Sequence, residues 1–196
     1  MTIMLQKKVC MLGAFAVGKT SLVRRFVESV YSDSYHTTIG VKIDKKVIHI
    51  AGHKEVMLVL WDIYGADEFQ QVRMSYLRGM AGCLLVVDGT RGATLDQALA
   101  FDEQVRDVSG RAPSVIVINK SDLAQDWEVE AERVGVLERE GRMVVRTSAK
   151  TGEGVQKAFH RLASLILEGA VKDGDAVRVT AGRDGLLING QLAEAA

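Results

Sequence analysis

The chain has 196 residues, of which 47% are hydrophobic and 26% charged, and its 25 basic and 25 acidic side chains give a formal net charge of zero. This size and composition fit one globular domain with a substantial core. The balanced charge argues against a main role in binding nucleic acid or in polybasic attachment to membranes. Two cysteines, Cys10 and Cys83, lie in apolar runs and predict reduced core thiols of a cytoplasmic protein.

The sequence contains no recognisable membrane signal. No signal peptide is visible, and no apolar run approaches the roughly 20 residues that span a bilayer. Thr2 is incompatible with N-myristoylation, and the final residues lack the cysteine that prenylation requires. We therefore expect a cytoplasmic protein without a direct lipid anchor, whose membrane association, if any, comes through a partner.

Apolar runs alternate with helical patterns, which predicts an α/β fold with a mostly parallel sheet covered on both faces. Strands are expected at residues 8–12, 41–50, 56–61, 83–87, 115–118 and 144–145. Helices are expected at residues 18–29, 95–108, 127–140 and 155–166, with a weaker helical pattern within 62–79. A short turn at Gly52 and His53 joins two neighbouring strands into an antiparallel hairpin, so we expect one reversed strand at a sheet edge. Asp126 is the expected N-cap of the helix at 127–140.

The character of the chain changes beyond about Gly169. Residues 172–175 resemble a linker, and the apolar stretches 177–180 and 186–188 either pair as a small hairpin or form a loose tail. We therefore divide the chain into a domain of residues 1–170 and a C-terminal extension of residues 171–196.

Residues 13–20 form the strongest motif in the sequence. They read G-x-x-x-x-G-K-[ST] and follow the first predicted strand. Such a loop surrounds a phosphate with backbone N–H groups and delivers it to a helix N-terminus. Lys19 is expected to reach the β- and γ-phosphates, and the Thr20 hydroxyl is expected to ligate Mg²⁺. The motif predicts binding of a nucleotide without specifying which one.

Two later motifs, each at a strand end, predict guanine as the base. The Asp122 carboxylate of residues 119–122 can accept hydrogen bonds from the ring N–H and amino group of guanine, a donor pair that adenine lacks. Asn119 is expected to contact the base edge and to tie this loop to the phosphate loop, while the stem of Lys120 covers the ring. In residues 147–150, the Ala149 N–H is a candidate donor to the guanine carbonyl. Doubly wound sheets bind ligands at these strand ends.

These motifs together resemble the Ras superfamily of small GTPases, most closely its Rab branch, over about residues 7–168. Residues 35–40 are similar to the Rab switch I segment, residues 61–65 stand where the family has W-D-T-A-G, and residues 76–82 are similar to its Y-Y-R-G-A-x-G. The resemblance implies a three-layer P-loop G domain: a six-stranded, mostly parallel sheet with one antiparallel edge strand and about five helices. It also implies a signalling switch that uses Mg²⁺ as cofactor and GTP or GDP as ligand.

The resemblance also implies roles for individual residues. Thr38 supplies a second hydroxyl to Mg²⁺ in the GTP state, Asp62 holds the ion through water, and the Gly65 N–H bonds the γ-phosphate. Tyr31 flanks the guanine. With the motifs above, the predicted GTP-binding residues are Gly13, Phe15, Ala16, Val17, Gly18, Lys19, Thr20, Ser21, Tyr31, Thr38, Gly65, Asn119, Lys120, Asp122, Ser148, Ala149 and Lys150. Lys19, Thr38 and Gly65 are the predicted catalytic residues, and Thr20, Thr38 and Asp62 are the predicted metal ligands.

The segments 31–40 and 62–80 are expected to order when GTP is bound and to relax after hydrolysis. The γ-phosphate and Mg²⁺ hold them through Thr38 and Gly65, and hydrolysis releases this hold. The change lets effector, exchange-factor or activating proteins distinguish the two states.

Three departures from the family pattern bear on hydrolysis. Ala66 stands where a glutamine usually orients the attacking water, and alanine has no polar group for that role. Phe15 replaces a small residue of the phosphate loop and is expected to obstruct an arginine supplied by an activating protein. Tyr64 replaces a small alanine and is expected to alter the packing of the second switch segment. The sequence therefore predicts intact nucleotide binding with slow intrinsic hydrolysis.

Two other functions stay open at this point. One is a GTP-loaded binding scaffold with negligible hydrolysis. The other is a P-loop enzyme of a different kind, such as a nucleotide kinase, which the motifs around Asn119 and Ala149 disfavour.

Overall fold

The computed structural model describes residues 5–31, 40–50, 55–63, 74–110, 112–172, 179–182, 185–188 and 191–192. Thr38, Tyr64, Gly65 and Ala66, and the turn at residues 52–53, lie outside the described residues.

A six-stranded sheet forms the centre of the fold. Its strands are β1 (Leu5–Leu12), β2 (Val41–Ile48), β3 (Val56–Ile63), β4 (Gly82–Asp88), β5 (Ser114–Asn119) and β6 (Val144–Arg146). They lie in the order β2-β3-β1-β4-β5-β6, and every neighbouring pair is parallel except β2 and β3. The expected reversed strand at a sheet edge is therefore confirmed, and it is β2.

Helices cover both faces of this sheet. The described residues contain α1 (Lys19–Glu28), α2 (Ala93–Ser109), α3 (Ala131–Arg139) and α4 (Val155–Lys172), with 3₁₀ helices at Met74–Leu77 and Ser121–Asp126. Helices α1 and α4 pack on one face, where the rings of Phe26 and Phe159 stack with centroids 3.9 Å apart. Helices α2 and α3 pack on the other face. These three layers confirm the predicted fold class of a P-loop G domain.

The central strands read as continuous apolar runs because both of their faces are buried. Along β1, Val9 and Met11 join the core under α1 and α4, whereas Cys10 and Leu12 join the core under α2 and α3. Side chains alternate between the faces of a strand, so a strand covered on both sides is apolar at successive positions except near its ends. Burial raises the pKa of the Cys10 thiol to about 12, as expected for a reduced core cysteine.

The expected helix at 127–140 begins later than predicted, so the assignment of Asp126 as its N-cap is wrong. Asp126 ends the 3₁₀ helix, and α3 begins at Ala131 after an extended segment. The Trp127 indole N–H donates to the Lys120 carbonyl at 3.0 Å, and the backbone N–H of Val129 donates to Gly89. These long-range contacts override the local helical pattern.

The C-terminal extension contains three short strands, β7 (Val179–Gly182), β8 (Gly185–Ile188) and β9 (Gln191–Leu192). They pair antiparallel in the order β7-β8-β9. The division of the chain at residue 170 stays a prediction. In the part of the chain that the structure describes, no helix has both the length and the apolar character needed to cross a bilayer.

Candidate nucleotide-binding site

The phosphate loop connects the end of β1 to the start of α1. Two of its glycines have a positive φ, +145° at Gly13 and +99° at Gly18, and each faces a neighbour closely. A Cβ at Gly13 would lie 2.3 Å from the carbonyl oxygen of Val86, and one at Gly18 would lie 2.4 Å from the amide nitrogen of Asn119. Both positions therefore require glycine for conformation and for space.

The Lys19 ammonium lies folded back over the loop that precedes it. Its Nζ donates to the carbonyl oxygens of Gly13 at 2.9 Å and Ala14 at 2.8 Å. Burial lowers the pKa of Lys19 to about 8, although the negative charge of Asp62 partly opposes this shift. A buried cation held at the loop by neutral carbonyl acceptors is well suited to bind a phosphate, because the phosphate supplies a compensating negative charge.

Thr20 and Asp62 bring two hard oxygen donors together beside Lys19. The Thr20 hydroxyl donates to Oδ2 of Asp62 at 2.5 Å. Asp62 is only 1% exposed, and its other carboxylate oxygen, Oδ1, is buried without a hydrogen-bond partner among the described residues. Burial raises the pKa of Asp62 above its ordinary range, more than hydrogen bonding from Thr20 lowers it. Such a carboxylate oxygen next to a threonine hydroxyl fits Mg²⁺, which prefers oxygen ligands and keeps several waters.

Asn119 connects the base-binding segments to the phosphate loop. Its Nδ2 donates to the carbonyl oxygen of Val17 at 3.0 Å. Its Oδ1 accepts from the Thr147 hydroxyl at 3.2 Å and from the Ala149 N–H at 3.1 Å. The side chain is 2% exposed. Asn119 therefore ties three segments together. The Ala149 N–H, which is the predicted donor to the guanine carbonyl, already donates to Asn119 Oδ1 in this structure.

Asp122 lies exposed in the 3₁₀ helix that follows β5, and a residue of the loop after β6 donates a hydrogen bond to its carboxylate. The Ser148 hydroxyl donates to Oδ1 of Asp122 at 2.5 Å, and the Thr151 N–H donates to the Ser148 hydroxyl at 3.0 Å. Ser148 is fully buried, whereas Asp122 is exposed. One carboxylate oxygen is thus fixed by the protein, and the carboxylate keeps acceptor capacity for a ligand.

Arg25 of α1 supports the loop that contains Ala149. Its Nε donates to the Ala149 carbonyl at 2.8 Å, and its Nη2 donates to the Lys150 carbonyl. The guanidinium carbon also lies 5.9 Å from the centroid of the Tyr31 ring. Sequence reasoning missed Arg25, because its partners are backbone carbonyls more than 120 residues away in the chain.

Asp88 is a further residue that sequence reasoning missed. Asp88 ends β4 directly beside Asn119 of β5, and its carboxylate accepts from Lys120 Nζ at 2.6 Å. Lys120 itself has a left-handed φ of +68°. A signal did exist in the position of Asp88, since it is a charged residue at the carboxyl end of a central parallel strand.

Four other predicted binding residues lie in or close to the phosphate loop and α1. Ser21 lies half-buried in the first turn of α1, and Tyr31 lies half-buried in the segment that follows this helix. Phe15 is 36% exposed, and Ala16 has a left-handed φ of +60°. The residues Thr38, Gly65 and Ala66 are outside the described part of the chain, so their positions relative to Lys19 stay predictions.

A three-layer fold with a phosphate loop after β1 and two polar motifs at the ends of β5 and β6 defines the class of P-loop G domains. Comparison with known proteins agrees. The model of the Ras family matches residues 8–168. The chain is 35% identical over 164 residues to the Ras-related protein Rab-4B of Rattus norvegicus, Homo sapiens and Mus musculus, covering 82% of this chain and 76% of each relative.

The chain belongs to the Ras family of small GTPases and is Rab-like within the superfamily. Proteins of this family are GTP-binding molecular switches with GTPase activity, and they bind GTP and GDP with Mg²⁺. They also interact with effectors, exchange factors and activating proteins.

Proposed function

We propose that this chain binds GTP and GDP with Mg²⁺ through the site described above and hydrolyses GTP slowly. The observation that carries the proposal is Asn119, which joins the phosphate loop at Val17 to both predicted base-binding segments. The segments that would contact the phosphates and the base are thereby held next to each other, so that one nucleotide can contact all of them.

Lys19 and the backbone N–H groups of the phosphate loop bind and orient the phosphates in this proposal. Thr20 would ligate Mg²⁺ and Asp62 would hold the ion through water, with Thr38 as a further ligand when GTP is bound. When present, the ion neutralises negative charge on the phosphate oxygens. The Lys19 ammonium, buried among carbonyl groups, stabilises charge that develops on the β- and γ-phosphates and needs no solvent rearrangement to do so.

Asp122 selects guanine in this proposal, because its carboxylate accepts from the two neighbouring donors of that base. Its fixation by Ser148 supports this role, since a held carboxylate loses little freedom on binding. Lys120 is held by Asp88, which leaves its aliphatic stem available to lie along the base.

The choice of base can be tested with Asp122→Asn, which replaces an acceptor by a donor. This variant is expected to prefer xanthine over guanine nucleotides, because xanthine presents an acceptor in place of the amino group. Asp126→Asn is the matched control, since Asp126 lies exposed in the same 3₁₀ helix. Unchanged GDP affinity in Asp122→Asn would contradict the base contact.

Two positions, Ala66 and Phe15, are the reason for expecting slow hydrolysis. Ala66 cannot orient an attacking water, and positioned polar groups account for a large part of the catalysis of phosphoryl transfer. Phe15, in the phosphate loop, adds bulk where an arginine of an activating protein would approach. The switch segments contain other polar residues that offer a group for this role, but we expect each of them to be a solvated loop residue: Tyr35, His36, Asp67 and Glu68.

Single-turnover hydrolysis of GTP measures this step directly. Ala66→Gln is expected to accelerate it by about tenfold or more, because it restores a group that positions water. The same substitution at Ala100, an exposed alanine of α2, is the matched control and should leave the rate unchanged. If Ala66→Gln hydrolyses GTP at the original rate, the absent glutamine does not limit the reaction.

A GTP-loaded scaffold with negligible hydrolysis is the second candidate, and the pairing of Ala66 with Phe15 favours it. Analysis of the nucleotide released by denaturing the purified protein separates the two. Released GDP supports turnover, retained GTP supports the scaffold, and an adenine nucleotide would contradict both.

The expected partners are effector, exchange-factor and activating proteins that contact residues 31–40 and 62–80. We further propose that the protein works in the cytoplasm. Its two cysteines, Cys10 and Cys83, are buried free thiols, as expected in a reducing compartment.

A further inference from the structure

The carboxylate of Asp88 lies buried at the end of β4 and holds two cationic side chains at once. Its Oδ2 accepts from Arg91 Nε at 2.8 Å and from Lys120 Nζ at 2.6 Å. Its Oδ1 accepts from the N–H and the hydroxyl of Thr90, at 3.1 and 2.8 Å. Burial alone would raise the pKa of Asp88, but the hydrogen bonds from Lys120, Thr90 and Arg91 outweigh it and hold the pKa below its usual range. Asp88 therefore stays a carboxylate.

Arg91 extends from this carboxylate to the phosphate loop. While its Nε is bound to Asp88, its Nη2 donates to the backbone carbonyl of Phe15 at 2.8 Å. The planar guanidinium suits such a double contact, because its donors point in fixed directions toward two acceptors. The same Asp88 oxygen that anchors Arg91 also anchors Lys120, a residue predicted to contact the base.

Arg91 therefore connects the phosphate loop to a buried carboxylate at the end of β4. A side chain that bonds both to the loop backbone and to this fixed point restricts the positions that the loop can adopt.

We propose that Arg91 is a positioning residue that holds the phosphate loop at the Phe15 carbonyl in the shape that binds phosphate, with Asp88 as its fixed anchor. This inference rests on the proposed function, since it assigns a residue to the same nucleotide site. Arg91 acts on the loop backbone and leaves the contacts that select the base to Asp122.

Release of a fluorescent GDP from the full chain in the presence of Mg²⁺ tests this role. Arg91→Ala is expected to release GDP about tenfold faster, since a hydrogen bond from a charged group to a partly exposed acceptor lies at the low end of its usual range. Arg91→Lys is expected to recover part of the loss, because an ammonium can reach one of the two acceptors while keeping the charge.

Arg106→Ala is the matched control. Arg106 pairs with Asp102, another buried aspartate, through a contact of 2.9 Å between Nη2 and Oδ2. Both variants remove an arginine from a buried aspartate, but Arg106 lies in the last turn of α2, at the opposite end of the helix from Arg91. We expect Arg106→Ala to change thermal stability to a similar extent and to leave GDP release within about twofold of the original protein.

The preference for GDP over xanthosine diphosphate provides a second readout. It should stay unchanged in Arg91→Ala even though both ligands bind more weakly, because the base contacts are retained. Unaltered GDP release in folded Arg91→Ala, equal acceleration in Arg106→Ala, a lost base preference, or no recovery in Arg91→Lys would each overturn the inference. Failure of the proposed function would instead appear as absent GDP binding in the unmodified chain.

Discussion

Asn119→Ala is expected to destabilise the fold as well as to abolish guanine binding. The substitution removes three hydrogen bonds: one to the Val17 carbonyl, one from the Thr147 hydroxyl and one from the Ala149 N–H. At about 1 kcal/mol each, these contribute about 3 kcal/mol to the free energy of unfolding. For a domain of this size that corresponds to a decrease of roughly 6–12 °C in Tm.

A double-mutant cycle isolates the part of this effect that belongs to one hydrogen bond. Thr147→Val alone is expected to cost about 1 kcal/mol, because it removes a single bond at a fully buried site. In the Asn119→Ala background the partner is already gone, so Thr147→Val should cost much less. The coupling energy is thus expected to be about 1 kcal/mol, within the range for residues in direct contact.

Urea denaturation, with and without saturating GDP, measures these free energies of unfolding. Asp122→Ala is the control, since Asp122 is exposed and its carboxylate is held by the Ser148 hydroxyl. It should abolish guanine binding with a smaller loss of stability than Asn119→Ala, because it removes one of these side-chain hydrogen bonds and not three. Strictly additive effects of Asn119→Ala and Thr147→Val, or equal stability losses in Asn119→Ala and Asp122→Ala, would refute the three-segment role of Asn119.

Three further predictions concern the core, the anchor and the loop. Burial raises the pKa of Cys10 to about 12. Both buried cysteines should therefore resist iodoacetamide at a pH of about 8 until urea unfolds the chain, as mass spectrometry of labelled protein can show. Rapid labelling of the folded protein would contradict their burial. Asp88 has a depressed pKa in the folded chain, so its stabilising contribution is complete above its unfolded pKa of about 4 and is lost as pH falls through the lower folded value. Urea titrations across this acidic range should therefore show a weaker pH dependence in Asp88→Asn, and an unchanged slope would count against the assignment. Gly18→Ala should lower Tm more than Gly141→Ala. Both positions have a positive φ, but only at Gly18 would a Cβ lie 2.4 Å from a neighbouring atom. Equal losses of Tm would argue against this close approach.

The strands and the phosphate loop could be predicted because their signals are local. Leu84 and Leu85 point to opposite faces of β4, and both faces are buried, so an unbroken apolar run is the necessary pattern. Gly13 and Gly18 could likewise be recognised by spacing, because the loop needs backbone without side chains at fixed positions.

The start of α3 and the anchoring contacts could not be predicted, because their causes lie far away in the chain. Residues 127–130 have a helix-compatible sequence, but Trp127 bonds to Lys120 and the backbone N–H groups of Glu128 and Val129 bond to Gly89. Arg91 likewise has an unremarkable local sequence. Its importance becomes visible only when the fold brings its guanidinium to the Phe15 carbonyl.

The way in which the phosphate loop is supported bears on what Ala66 can change. The loop backbone is held at Val17 by Asn119, at Phe15 by Arg91, and from within by Lys19. All three side chains belong to residues outside the two switch segments, and position 66 lies outside the described residues. We therefore expect these contacts to hold the loop whichever residue stands at position 66. Substitutions at Ala66 should therefore alter the rate of hydrolysis with little effect on GDP affinity. Substitutions at Asn119 or Arg91 should instead lower GDP affinity with little effect on the rate at which bound GTP is hydrolysed. We therefore expect guanine binding and the positioning of the attacking water to be separable by mutation, whereas Lys19 contributes both to binding and to catalysis.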